Sequence, residues 1–584
     1  MITPARGRFS KVFALRWSRP VAVIVCAALG FLCPAVYGLV NGVREPLAHD
    51  EYSYLLAAYT FAEGRLTNPP PALPEFFEAP HVLVVPTYTS KYPPGQSLFL
   101  ALGIVVGGSP IWGVWLGCGL FAGCLCWMLQ AWSTRQWAIA TTLLAIATLG
   151  TSTYWAQAYW GGMVAASGGA LVFGGMRRTL HTVRISTSVL IAAGTLILAN
   201  TRPYEGLITC LPAVVVLAVW LVRCDRVPSR IKLLSFALPV AIVLAAGAAG
   251  MAVYNRAVTG AFSASPYQVH QAQYWRQGPF VFSQPQNASR TPGDRVSGFY
   301  RYYESPARSA GSVLRVSLQN LALAALGSIG VPFGIFFVPP NQQYQGVLLW
   351  VALLLCARNW RSRSSAAILS VLAVLAELIG RKVIPAFFLA SLAGVAIPWA
   401  WAFTSVARRN AWAPFIAAAW ALGLTAHAAV RWWWPHYSAP VVALLLAAVA
   451  TTGQRLTRQS KRTGGNTLGR ALTAMAVVHL LVLGAVSVLS RPTAGVVARR
   501  TAIIRQLEVL NGSHLVFVKY AANYTVHDEW VYNPPDLAAS RILFAHDLGE
   551  ERNRALLKEF PERSIWRVNV SSDAIRLERY GGTP

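Results

Sequence analysis

The stretch from 19 to 41, RPVAVIVCAALGFLCPAVYGLVN, decides the fold class of this chain. After Arg19 it contains no charged residue, and it exceeds the roughly 20 residues that a helix needs to cross a bilayer core of about 30 Å. Similar apolar runs recur along the 584 residues, of which 55% are hydrophobic and only 12% charged. Such a composition excludes a water-soluble globule for most of the chain, so we predict a polytopic membrane protein.

The basic residues form short clusters between the apolar runs, although the formal net charge is +28. In a soluble protein that charge would indicate nucleic acid as a partner, but Lys and Arg in short loops favour the cytoplasmic side of a membrane. The first run follows a basic cluster between 6 and 19 and continues past twenty residues. We therefore interpret it as an uncleaved span with a cytoplasmic N-terminus, not as a signal peptide.

Placing every basic cluster inside predicts about 13 spans and an extracytoplasmic C-terminus. The predicted spans lie near 19–41, 109–131, 136–153, 159–176, 185–200, 206–222, 233–254, 340–357, 365–380, 384–404, 411–430, 438–453 and 471–490. The apolar stretch from 318 to 338 contains three glycines and a proline. We interpret that stretch as a re-entrant or surface-lying segment.

Three segments remain outside in this threading: 43–108, 255–317 and 491–584. The second is rich in aromatic residues and is a candidate cover for a glycan or lipid, although exposed loops are also aromatic for no catalytic reason. In the third, HLVFVKY, RILFAHD and SIWRVNV are typical of strands and GEERNRALLKEF of a helix. The sequence therefore predicts a mainly α, polytopic transmembrane helical bundle over 1–490 and a small extracytoplasmic α/β domain over 491–584.

The first external segment opens with His49-Asp50-Glu51, just after the first span. The run that follows, YSYLLAAYTFAEG, contains Tyr54 and has an apolar helical face that predicts a helix lying on the membrane, with Asp50 at its start. Acidic residues at this depth are not needed for insertion, which makes Asp50 and Glu51 candidate catalytic residues. The alternative is that Asp50 caps the helix and Glu51 is a solvated neighbour.

The same segment closes with Ser90-Lys91-Tyr92-Pro93-Pro94-Gly95-Gln96. The prolines force an extended approach, and Pro94 suits the first turn of a new helix. A lysine beside a helix N-terminus favours phosphate, so Lys91 is a candidate donor-phosphate ligand with Tyr92 beside it. The alternative is a turn whose lysine snorkels to the headgroups.

Two other external edges carry polar residues. Arg202 lies in a short loop that the threading places outside, with Tyr204 and Glu205 after it; it either contacts a ligand or only pairs with Glu205. The cluster from 431 to 437, RWWWPHY, fits an interfacial aromatic belt, but His436 and Tyr437 are candidates for hydrogen bonding to a sugar or headgroup. A similar polar-aromatic edge occurs from 154 to 160.

These features together resemble the GT-C superfamily of integral-membrane glycosyltransferases, in particular the protein O-mannosyltransferases and lipid A aminoarabinose transferases. Asp50-Glu51 resembles the family's acidic pair after the first span, and Lys91-Tyr92-Pro93-Pro94 resembles its Lys/His-Pro-Pro element. The resemblance implies a sugar donor on a polyprenyl phosphate, with Asp50 as the base that deprotonates the acceptor hydroxyl. Lys91, helped by Arg202, would stabilise the departing phosphate.

The chain departs from the family pattern at one edge. Many members carry a second acidic residue between spans three and four, where this sequence reads TYWAQAYWGG. Glu78 and His81, in the first external segment, are kept as loop residues that could substitute. No nucleotide-binding, dinucleotide-binding or zinc motif occurs in a supporting context, so we predict no cofactor and leave a divalent metal open. The eight cysteines indicate no disulfide framework.

The sequence thus predicts an inner-membrane enzyme, multi-pass, with a polyprenyl-phosphate-linked sugar as donor and a glycan, lipid or protein as acceptor. Nucleic acid is not an expected partner. The alternative function is a transporter or flippase of lipid-linked sugars, which would place ionisable residues at the membrane midplane, where Glu377 is the clearest acidic residue. A third reading is an envelope scaffold whose tail domain binds a partner.

Overall fold

The computed structural model describes residues 17–283, 288, 293–303, 412–431, 434–463 and 496–581 without 523, 528, 572 and 573, together with 311, 313, 314, 316–318, 320 and 321. Glu377, the predicted spans near 340–357, 365–380, 384–404 and 471–490, and most of the 318–338 stretch lie outside the described residues.

The described part of 17–463 is almost entirely helical. Its helices are α1 (Arg19–Asn41), α2 (His49–Ala62), α3 (Gly95–Gly107), α4 (Pro110–Trp132), α5 (Arg135–Thr148), α6 (Tyr154–Gln157), α7 (Met163–Thr179), α8 (Ile185–Ala199), α9 (Pro203–Arg223), α10 (Ser229–Thr259), α11 (Pro266–Tyr274), α12 (Asp294–Tyr303), α13 (Ala413–Ala429) and α14 (Ala439–Thr463). The predicted spans within this part each coincide with a helix. Five helical segments of the described residues, Arg19–Asn41, Pro110–Trp132, Pro203–Arg223, Ser229–Thr259 and Pro435–Arg455, are long and apolar enough to cross a membrane; the last joins the 3-10 helix Pro435–Ser438 to α14. The total of 13 spans stays a prediction.

Small residues allow the helices of the bundle to approach closely. A Cβ atom on Gly30 of α1 would lie 2.5 Å from Ala122 Cβ of α4, and one on Gly103 of α3 would lie 2.1 Å from the Gly113 backbone nitrogen. Because lipid offers no hydrophobic gain for helix pairing, such backbone contacts are a main source of packing energy in membranes. The core of the bundle lies where α4, α7 and α14 meet.

The segment 43–108, which the threading places outside and which is called the first external segment for that reason, folds as α2, a two-stranded ribbon of β1 (Val82–Leu83) and β2 (Thr89–Ser90), and then α3. The expected helix after Pro94 is present, and Pro94 is its N-cap. Most residues of α2 are buried against protein, and its position relative to the membrane stays a prediction. Ser97 Oγ of α3 donates to the Tyr54 carbonyl at 2.9 Å, and Ser53 Oγ donates to the His81 carbonyl at 2.7 Å.

The described residues of the segment 491–584, called the tail from here on, form a small α/β unit. Its strands and the helix between the last two long strands lie where the sequence patterns predict them. It contains α15 (Val496–Glu508), β3 (His514–Tyr520), β4 (Ile542–His546), α16 (Glu550–Glu559), β5 (Ser564–Val570) and β6 (Ile575–Arg579). The strand order is β4-β3-β5-β6, with β3 parallel to β4 and β5, and β6 antiparallel to β5. This unit packs on the first external segment, because Phe76 and Phe77 enter the core beside Phe517.

Candidate active site

Asp50 is the second residue of α2, and its side chain is about one-third exposed. Its Oδ1 accepts a hydrogen bond from the Tyr92 hydroxyl, and its Oδ2 lies 3.9 Å from His81 Nε2. Burial, reinforced by the nearby Asp50 charge, raises the pKa of Tyr92 well above its usual value, so Tyr92 keeps the proton that it donates. The N-cap of α2 is Ala48, so the alternative that Asp50 caps the helix is wrong. The Tyr92 hydroxyl thus holds one oxygen of this carboxylate, and the side chain remains partly exposed to solvent.

Glu51 is 2% exposed, which contradicts the alternative that it is a solvated neighbour. Its Oε2 accepts from the Leu47 and Ala48 backbone N–H groups at 2.7 and 3.0 Å, and its Oε1 accepts from the Tyr159 N–H at 2.9 Å. Burial raises the pKa of Glu51 against the opposing effect of these hydrogen bonds. The side chain therefore ties the start of α2 to the segment before α7, which accounts for its burial without a catalytic role.

Lys91 is 4% exposed and does not snorkel to solvent. Its Nζ lies 5.0, 5.4 and 5.8 Å from the ring centres of Tyr92, Tyr267 and Trp275. Burial lowers the pKa of Lys91 to about 7, although the charge of Asp50 opposes that change. In the described part of the chain no carboxylate forms an ion pair with Lys91 within 4.0 Å. A buried ammonium that faces aromatic rings, with no described carboxylate within 4.0 Å, is suited to bind an anion.

Arg202 is the N-cap of α9, and its guanidinium carbon lies 4.8 Å from the ring centre of Tyr437. Arg202 and Glu205, both described, form no ion pair within 4.0 Å, so the direct pairing that the sequence allowed does not occur. The Tyr204 hydroxyl, predicted as a substrate contact, donates instead to the Ala426 carbonyl at 3.0 Å. Arg202 is thus a second cation with no carboxylate within 4.0 Å among the described residues.

The two cations and Asp50 surround one set of tyrosines. Burial raises the pKa of Tyr54 and of Tyr267 to about 12 each, and both hydroxyls interact electrostatically with Asp50 and Arg202. Asp50 also interacts with Lys91. Residues that are far apart in the sequence therefore belong to one electrostatic cluster.

The remaining candidates lie at the rim of this cluster. His49 Nδ1 lies 2.6 Å from the Tyr532 hydroxyl of the tail, and burial lowers the pKa of His49 to about 4, partly opposed by Asp50. The Glu78 carboxylate accepts from the Gly293 N–H at 2.8 Å, so it anchors the second external segment. Only His81, of the two residues kept as substitutes for the missing acid, approaches Asp50.

The two predicted polar-aromatic edges come together. His436 Nδ1 lies 3.1 Å from the Tyr154 hydroxyl, and the His436 ring packs edge-on against Trp160 at 5.1 Å between ring centres. Trp434 beside them is 47% exposed. The neighbouring residue of His436, Tyr437, contacts Arg202, so these aromatic residues lie beside that cation.

An apolar groove of about 410 Å³ lies between the helices that follow Lys91 and precede Arg202 in the sequence. Pro94 and Gly95, which follow Lys91, line it together with Asn200 and Thr201, which precede Arg202. The Gly95 N–H donates to the Asn200 carbonyl at 2.8 Å, which joins these two walls. The rest of the lining is mainly apolar and comes from α2, α3, α7, α8 and α10: Phe61, Leu98, Phe99, Val164, Leu196, Ile197, Gly247, Gly250 and Met251 are among these residues.

Tyr267 and Trp275 were predicted only as parts of an aromatic segment that is a candidate cover for a glycan or lipid, and Tyr532 had no predicted role. The aromatic content of the second external segment was the only visible signal for the first two, and no local signal pointed to Tyr532. Among the described residues no group of three or more His, Cys, Asp or Glu side chains is arranged to hold a metal ion.

No family model and no curated protein matches the chain. Among solved structures, the chain is similar to ArnT from Cupriavidus metallidurans bound to undecaprenyl phosphate, with 14% identity over 94% of this chain and 92% of that chain and a TM-score of 0.36. The same protein in the apo state gives 14% identity over the same shares and a TM-score of 0.38. The Archaeoglobus fulgidus oligosaccharyltransferase in complex with zinc and sulfate gives 10% identity, 94% and 67% coverage, and a TM-score of 0.41. At these scores the similarities carry no argument about function, which has to rest on the site itself.

Proposed function

We propose that this protein is an integral-membrane glycosyltransferase of the GT-C type, which transfers a sugar from a polyprenyl-phosphate donor to an acceptor on the extracytoplasmic side. The proposal is carried by two observations: the Tyr92 ring contacts Lys91 while its hydroxyl binds Asp50, and the residues that follow Lys91 and precede Arg202 line an apolar groove. The proposal includes a transmembrane domain over 1–490 in the inner membrane and an extracytoplasmic domain over 491–584.

The groove and the cations are suited to the two ends of a lipid-linked donor. An isoprenoid chain needs a long apolar surface, and the groove wall is mainly aliphatic and aromatic. The phosphate at the head of that chain needs cations. Lys91 precedes Pro94 and Gly95, and Arg202 follows Asn200 and Thr201, four residues that line the groove; neither cation forms an ion pair with a described carboxylate. As the sugar leaves, charge develops on the phosphate, and cations already in place stabilise it at no cost of reorganisation.

Asp50 is suited to act as the general base. The acceptor hydroxyl oxygen attacks the anomeric carbon, its proton passes to the Asp50 carboxylate, and the bond from that carbon to the phosphate oxygen breaks. Attack from the side opposite the phosphate inverts the anomeric configuration. A base placed in this way contributes about 10² to 10⁴ in rate. Glu51, which the sequence analysis paired with Asp50, supports the start of α2 in this scheme. The acceptor is a glycan, a lipid or a protein.

The test compares two carboxyl-to-amide variants of the same helix region. Asp50→Asn removes the base, whereas Glu63→Gln changes the exposed carboxylate that follows α2 and pairs with Arg65. The purified proteins, in nanodiscs, receive a panel of undecaprenyl-phosphate-linked hexoses and pentoses labelled in the sugar, with an envelope fraction as acceptor source. We expect Asp50→Asn to transfer about 10² to 10⁴ times more slowly and Glu63→Gln to transfer normally. Normal transfer by a folded Asp50→Asn protein would refute the proposal, and lipid transport without product would favour the transporter.

A further inference from the structure

His81 has a left-handed backbone conformation, which is uncommon among non-glycine residues. Its φ is 67°, the only positive φ of a non-glycine residue in the described part of the chain. The left-handed region is unfavourable for a residue with a Cβ atom, and such residues persist only where the surroundings hold them. The turn before β1 therefore needs an explanation that the ribbon alone does not provide.

Three separate elements hold this backbone in place. The His81 carbonyl accepts from Ser53 Oγ of α2 at 2.7 Å and from the Lys91 N–H at 3.3 Å. The His81 N–H donates to the Tyr300 hydroxyl of α12 at 3.0 Å. The conformation is thus fixed from α2, from the end of β2 and from the second external segment, and it aims the imidazole towards Asp50.

The ring itself is buried and packed on all described sides. Ring centres of Phe299, Tyr92, His49 and His270 lie 5.3, 5.8, 6.2 and 6.4 Å away. His81 Nε2 faces Asp50 Oδ2 at 3.9 Å, and Nδ1 is buried with no hydrogen-bond partner among the described residues.

These surroundings select one tautomer. An unpaired N–H donor at the buried Nδ1 would be costly, and a hydrogen on Nε2 points towards a carboxylate. Burial, with the nearby Lys91 charge, lowers the pKa of His81 well below its usual value, so the ring is neutral. The neutral ring with its hydrogen on Nε2 is a donor aimed at Asp50, one short movement beyond hydrogen-bonding distance.

We propose that His81 is a positioning residue for Asp50, whose Nε2–H holds Oδ2 while the Tyr92 hydroxyl holds Oδ1, so that a free lone pair of the carboxylate faces the acceptor hydroxyl. This inference rests on the proposed function, because it assigns to Asp50 the role of base. His81 keeps its own proton throughout, and the proton of the acceptor ends on Asp50. With only the Tyr92 contact, the carboxylate can rotate away from its productive orientation.

The test uses two amides that differ by one methylene. His81→Gln places an amide N–H close to the position of Nε2, whereas His81→Asn is too short to reach Asp50 but tolerates a positive φ better than most residues. We expect His81→Gln to stay within about tenfold of the wild-type kcat and His81→Asn to lose about 10²-fold, with unchanged binding of undecaprenyl phosphate in both. Loss of binding, or of the folded state, in His81→Asn would overturn the inference.

A double variant makes the dependence on Asp50 explicit. In an Asp50→Asn background, His81→Asn should lower kcat by less than about twofold, because residues that act through one another are not additive. An unchanged kcat for His81→Asn beside an impaired Asp50→Asn would overturn the His81 inference alone. Wild-type turnover by Asp50→Asn would overturn both it and the proposed function, so the two failures are distinct.

Discussion

The affinity for undecaprenyl phosphate should fall steeply above neutral pH, because Lys91 loses its proton there. Burial lowers the pKa of Lys91 to about 7 in the free protein, so about half of the molecules carry the ammonium at pH 7. A bound phosphate stabilises the ammonium, which raises the pKa of Lys91 in the complex. The sign follows: binding is favoured by protonated Lys91 and weakens as the pH rises through 7.

The size of the effect follows from the protonated fraction. With a pKa of about 7, that fraction drops from about 0.5 at pH 7 to about 0.01 at pH 9, so the apparent dissociation constant should rise by about 50-fold. The lipid phosphate itself changes little in charge over this interval, since its second pKa is about 6. This rise in the dissociation constant cannot exceed the loss of affinity that removing the ammonium altogether would cause. For a buried charged partner that loss is about 2–5 kcal/mol, or about 30-fold and more.

Two variants and one binding assay test this reasoning. Binding of undecaprenyl phosphate to protein in nanodiscs is measured at pH 7 and pH 9. Lys91→Gln should bind weakly at both values, and Lys91→Arg, which stays charged, should change by less than about threefold between them. Equal wild-type affinity at pH 7 and pH 9 would refute the reasoning, as would a Lys91→Gln protein that keeps the wild-type pH dependence.

Three further changes test other parts of the structure. Glu51→Gln should lower the free energy of unfolding by about 1–3 kcal/mol in a denaturation series, because an amide nitrogen must face buried N–H donors; an unchanged midpoint would contradict that role. Gly250→Leu should weaken undecaprenyl phosphate binding by about tenfold, because the leucine side chain enters the open groove and displaces about two methylenes of lipid contact. Gly423→Leu is the control: Gly423 also faces open space but does not line the groove, so this variant should bind normally. Equal binding by both leucine variants would count against the groove as the lipid site. Tyr532→Phe should lower the free energy of unfolding by about 1 kcal/mol, because it removes the hydroxyl that contacts His49 and keeps the ring stack on Tyr52 at 4.2 Å. A stability equal to wild type would show that the hydroxyl contact is dispensable.

The helices were predictable because their signals are local. The first span ends where an apolar run ends, and α3 starts after Pro94, whose ring suits a helix start. The strands of the tail follow β-branched and aromatic patterns of their own. Asp50 and Lys91 were candidates because of local motifs, an acidic pair just after the first apolar run and a lysine shortly before two prolines.

The supporting contacts were not predictable, because each joins distant parts of the chain. His49 meets Tyr532 across 483 positions, the His81 backbone meets Tyr300 across 219, and Glu51 meets Tyr159 across 108. Without these partners, Glu51 and Asp50 look alike in the sequence. Their environments separate them: Glu51 is enclosed by backbone donors, whereas Asp50 keeps an accessible face.

The most direct test of the proposed function is a cryo-electron microscopy map of the protein in nanodiscs with undecaprenyl phosphate. We predict density for the phosphate between Lys91 and Arg202, with the isoprenoid chain in the groove that Leu98 and Gly250 line and with Asp50 facing the site. A phosphate bound elsewhere, with the groove and the two cations free of lipid density, would contradict the transferase mechanism.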